Sequence, residues 1–177
     1  MSRVVVALAL AGLVSACGGG GGADGGSDAG PPLWTEGTLE VGTRSAPGVD
    51  DFAVFGAEAP LTPGAQGGYH VETRYRVNGQ RLDAVVFTHV VRLADAGTLV
   101  SKGTRRFDVG DDGGDPWVSE IFPVFMCPTP VGVNVANERV TFEITATATD
   151  GGFLGRATGS TRLHCDPGAY CEVVCRG

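Results

Sequence analysis

The clearest signal along this chain is a period of two. Tyr69, Val71, Thr73, Tyr75 and Val77 alternate with His70, Glu72, Arg74 and Arg76, which is how a strand reads when one face is buried and the other is wet. Val140, Phe142, Ile144, Ala146 and Ala148 alternate just as cleanly with Thr141, Glu143, Thr145, Thr147 and Thr149. The run 83–93 is apolar on both sides, as a central strand should be, and Asn78-Gly79 ahead of it predicts a tight hairpin with the 69–77 strand. Asp150-Gly151-Gly152 predicts a second turn, into a strand from about Arg156 to Cys165. Shorter strand candidates are 39–41, 52–55, 98–102 with 104–109, and 119–126. No stretch after Trp34 repeats apolar residues at helical spacing over about ten residues. With about seven or eight short strands and frequent turns, the expected fold is all-β, an immunoglobulin-like β-sandwich, although the Cys…Trp…Cys spacing of antibody domains is missing. The expected domain runs from residue 34 to residue 177.

The chain ahead of it reads differently. Arg3 precedes an unbroken apolar run from Val4 to Val14, about 11 residues, which suits a signal peptide over residues 1–16 and falls short of the roughly 20 that a membrane span needs. Residues 18–32 read GGGGGADGGSDAGPP. With nothing apolar larger than alanine, this stretch cannot offset the entropy of ordering, so 17–33 is expected to be a flexible tether of roughly 20 Å mean span. The glycine run is not a phosphate loop, since no strand precedes it and no Gly-Lys-Ser/Thr follows.

Val14-Ser15-Ala16-Cys17 resembles the lipobox of bacterial lipoproteins. The resemblance implies that Cys17 becomes the acylated first residue of the mature chain, and two acyl chains suffice for stable attachment to a membrane. In that family an Asp after the cysteine favours retention in the inner membrane of Gram-negative cells, so Gly18 implies the outer membrane. Gln66-Gly67-Gly68-Tyr69-His70 opening a strand behind such a leader and tether resembles a layout of small envelope lipoproteins of GC-rich Gram-negative bacteria, and implies no catalytic residue.

Export changes the reading of the cysteines. With Cys17 assigned to lipid, Cys127, Cys165, Cys171 and Cys175 remain, an even number that predicts two disulfides in an oxidising compartment. If the last two strands form a hairpin, Cys165 comes near the loop holding Cys127, which favours Cys127–Cys165 and Cys171–Cys175. His164-Cys165 with Cys171 and Cys175 matches no common structural zinc spacing, and no Cys-x-x-Cys redox motif is present.

Charge and chemistry narrow the function classes. A formal net charge of −7 offers no field for a phosphate backbone, so nucleic acid is not an expected partner. Neither a Gly-x-Ser-x-Gly elbow nor a His-Glu-x-x-His helix occurs, and no cofactor is implied. In the expected hairpin Val71 faces Phe87 and Tyr69 faces His89, which puts His89 inside and hydrogen-bonded, and His70 outside and solvated. The expectation is a monomeric, non-enzymatic binding or structural module with a protein or glycan partner in the envelope. The alternatives are a calcium-dependent adhesion module and an envelope hydrolase.

Calcium is raised by Asp108-Val109-Gly110-Asp111-Asp112-Gly113-Gly114-Asp115. Laid on the EF-hand pattern from Asp108, it has Asp112 and Gly113 in place, but Gly110 stands where a ligand belongs and Ser119 where the bidentate Glu belongs. A solvated acidic turn explains the same residues. Replacing Asp108, Asp112 and Asp115 with Asn is therefore expected to change stability by less than about 0.5 kcal/mol. Calcium is expected to leave the melting temperature of the unsubstituted chain unmoved, whereas a bound ion at 100 times its Kd would add about 2.7 kcal/mol. Thermal melts with and without calcium decide the matter.

Overall fold

The computed structural model describes residues 39–78, 84–108, 116–129, 132–166 and 170–176. Residues 1–16, expected to be a signal peptide, Cys17 and the rest of the expected tether 17–33, Gly79 and all of the acidic loop after Asp108 lie outside the described residues. Two sheets pack face to face as an all-β sandwich. The described strands are β1 (Leu39–Thr43), β2 (Ala53–Val54), β3 (Glu58–Pro60), β4 (Thr62–Pro63), β5 (Tyr69–Val77), β6 (Ala84–Leu93), β7 (Leu99–Asp108), β8 (Trp117–Val118), β9 (Phe122–Cys127), β10 (Arg139–Ala148) and β11 (Phe153–His164), and one short helix follows, α1 (Cys171–Cys175).

The first sheet is built around β5. Strands β1 and β4 pair along one edge of β5, β8 and β9 along the other, and β2 pairs with β1. The second sheet runs β3-β11-β10-β6-β7, antiparallel except where β3 lies parallel to β11. Both cleanly alternating segments are strands with the expected buried face, and the turn at Asp150-Gly151-Gly152 joins β10 to β11, with Gly151 at φ 90°.

The first expected hairpin is corrected. β5 and β6 belong to different sheets, so the two strands do not pair as a hairpin. Val71 faces Val124, not Phe87, and His89 faces Gly103 and Ile144, not Tyr69. Alternation specifies which face a strand buries and says nothing about its neighbour, and a strand buried on one face suits either sheet. The segments 98–102 and 104–109 are one strand, β7, because Gly103 keeps its place in the ladder opposite His89.

The core lies between the inner faces, where Tyr75 of β5 packs on Phe87 of β6 with ring centroids 4.3 Å apart and Phe55 stacks on Phe142 at 4.7 Å. Such aromatic pairs add about 0.5–1.5 kcal/mol each beyond the area they bury. At Gly159 of β11 the sheets approach closely, since a Cβ there would stand 2.9 Å from Val41 Cγ1 and 3.2 Å from the Phe55 ring. Gly159→Val is expected to destabilise the domain by about 1–3 kcal/mol through overpacking. A lower urea midpoint at unchanged slope is the signature to measure.

Candidate functional site

Strand β9 of the first sheet ends at Cys127, and Cys165 directly follows β11 of the second. Helix α1 carries the other two cysteines one turn apart. The disulfides are Cys127–Cys175 and Cys165–Cys171, which corrects the expected pairing of Cys127 with Cys165 and Cys171 with Cys175. That expectation put Cys165 beside Cys127, but the two sit on different sheets and α1 is bonded to both. Backbone hydrogen bonds from Val135 and Ala136 to the Cys175 carbonyl hold the end of the helix. All four residues are buried. The sulfurs of Cys165, Cys171 and Cys175 lie within 4.8 Å of one another, and those of Cys171 and Cys175 are 3.9 Å apart without being bonded. Paired in disulfides they are not thiolates, the form that zinc takes as a ligand.

The histidines stand apart. His70 faces outward from β5 and His89 inward from β6. The expected hydrogen bond of His89 is absent: its Nδ1 is buried with no partner, and its ring lies beside Phe122 and against Gly103, where a Cβ would come within 2.7 Å. His70 is half-buried rather than fully solvated; its ring meets the edge of Phe125 and its Nδ1 is also unpartnered. Burial pushes the pKa of both imidazoles down, opposed at His70 by the Glu72 charge.

The polar centre that alternation did not flag is Arg74. It points to the outer face of β5, yet it is buried, because its Nε donates to the Ser119 carbonyl at 2.8 Å while the rest of the guanidinium donates to the Asp51 carbonyl and the Asp50 carboxylate. Ser119 is fully buried between β8 and β9. Its N–H donates to the Tyr75 carbonyl and its Oγ accepts from the Tyr75 N–H, both at 2.9 Å, so a side chain carries the ladder across the break between two strands. Beside Arg74, Arg44 pairs with Glu72 and Arg76 with Glu40, each at 2.6 Å. The hydrogen bond from Arg76 holds the Glu40 carboxyl below its ordinary pKa. The only trace of this in the sequence is the charge alternation Glu72, Arg74, Arg76 on one face.

Two open clefts flank these residues. A groove of about 380 Å³ between β2 and β3 is lined by Arg44, Glu58, Glu72, Pro47 and Pro60 among others. A second, of about 360 Å³, is walled by Arg105, Arg106, Asp108, Trp117 and Glu120. The sequence matches no protein-family model and no curated protein.

The histidines yield a pH prediction. A folded-state pKa below the unfolded value of about 6.5 means that the unfolded chain binds more protons in mild acid. Stability is then complete above that pH and is lost as pH falls through it. Urea midpoints are expected to drop from pH 7 to pH 5, above the range where Glu40 and Asp51, both with lowered pKa values, take up protons. In His89→Leu the drop is expected to shrink, leaving the share of His70.

Proposed function

We propose that this chain is a lipid-anchored protein of the cell envelope, held in the outer membrane by acyl chains on Cys17, whose β-sandwich is a binding or structural module for a protein or glycan partner. The observation that carries the reading is Val14-Ser15-Ala16-Cys17 at the end of an apolar run too short to span a membrane. Two further features support it. The four cysteines of the domain are paired in disulfides, as suits an oxidising compartment. The groove between β2 and β3 also offers paired charges and apolar walls, a surface on which a partner could be oriented by hydrogen bonds to Arg44 and Glu72.

The test is Cys17→Ser in the full chain expressed in a Gram-negative host. The substituted chain is expected to leave the membrane fraction and to lose incorporation of labelled palmitate. Unchanged pelleting and labelling would overturn the anchor.

A further inference from the structure

Four sulfurs at the junction of α1 with the two sheets are arranged for more than static cross-linking. We propose that they form a thiol–disulfide relay, in which reduction of Cys165–Cys171 passes to Cys127 and a single dithiol removes both disulfide links between α1 and the sheets. Three observations place the steps. Cys165 is the least buried of the four residues, 8% exposed against 0% for Cys171, 1% for Cys175 and 2% for Cys127, and the relay takes it as the point of entry for a reductant. Attack at Cys165 makes Cys171 the leaving group. The Cys171 sulfur then lies 3.9 Å from Cys175 Sγ, within the other disulfide.

The chemistry balances with a dithiol as the only co-reactant. One reductant thiolate bonds to Cys165 Sγ and the Cys165–Cys171 bond breaks, its electron pair going to Cys171 Sγ. The second reductant thiol attacks the mixed disulfide, closes the oxidised reductant, and leaves Cys165 as a thiolate that takes a proton. The Cys171 thiolate attacks Cys175 Sγ, forming Cys171–Cys175 and expelling Cys127 as a thiolate, which is protonated in turn. The reductant loses two electrons and the protein gains two. One disulfide survives, but it lies wholly within α1. Both disulfide ties to the sheets are therefore lost for one dithiol, whereas independent disulfides would lose one.

The experiment uses the full oxidised chain and dithiothreitol, limited to about one equivalent under native conditions. Thiols are trapped by rapid alkylation and located by peptide mass spectrometry, with Cys17 scored separately. The expected product with two free thiols in the domain is alkylated at Cys127 and Cys165 and retains a Cys171–Cys175 bond. Alkylation at Cys165 and Cys171 with Cys127–Cys175 intact would show independent bonds and overturn the relay. So would any other pair of free thiols, passage straight to four thiols, or resistance of both bonds to the dithiol.

Discussion

The first sheet depends on a single strand whose two edges are both occupied. β1, β4, β8 and β9 are each hydrogen-bonded to β5, and among the described strands only β2 reaches the sheet through another strand. Tyr75 concentrates this constraint. Its backbone N–H and carbonyl bond to Ser119, while its ring packs on Phe87 of the opposite sheet and on Phe122 of β9. The Tyr75 hydroxyl is buried without a hydrogen-bond partner, and that burial raises its pKa, so it stays neutral. An unpaired buried hydroxyl costs about 1–3 kcal/mol. The ring contacts offset this cost, and a phenylalanine would keep them without an orphaned group.

Arg74 extends the same constraint to the outside of the sheet. A charged side chain buried on a solvent-facing strand position would be costly alone, but each arm of the guanidinium donates to an oxygen on another segment. Two of those oxygens are backbone carbonyls, at Asp51 and Ser119, so the side chain fixes the paths of two connections besides forming an ion pair with Asp50. The loop around Asp50 and the β8–β9 break are thereby registered against one strand, next to the groove between β2 and β3.

How much of this was legible follows from what each pattern encodes. The period of two identified β5 and β10 with their buried faces, since burying one side of a pleated strand leaves that mark in composition. It could not reveal that β5 and β6 lie in opposite sheets, because a buried face is the same whichever neighbour supplies the edge. The short strands β3 and β4 were invisible for another reason: they span three and two residues, and contain Pro60 and Pro63, which read as breakers. Arg74 looked like any wet-face cation, because the carbonyls that bury it are 23 and 45 residues away. The proposed export signal is of another kind, a local motif whose reading rests on the sequence alone and owes nothing to the fold.

Cysteine pairing was the least legible feature, and α1 shows why. A helix of five residues is far below the length of about 12–15 at which isolated helices become even marginally stable in water. Its Tyr170 cap makes no side-chain hydrogen bond. What holds it are the bonds from Cys171 to Cys165 and from Cys175 to Cys127, with the backbone contacts of Val135 and Ala136. The helix is thus a consequence of the pairing, so no local helical signal could have announced the pairing beforehand. Closing 48 residues between Cys127 and Cys175 also constrains the unfolded chain far more than closing six between Cys165 and Cys171. Of the two, the longer bond therefore contributes more to the stability of the sandwich, and the shorter one chiefly sets where the helix begins.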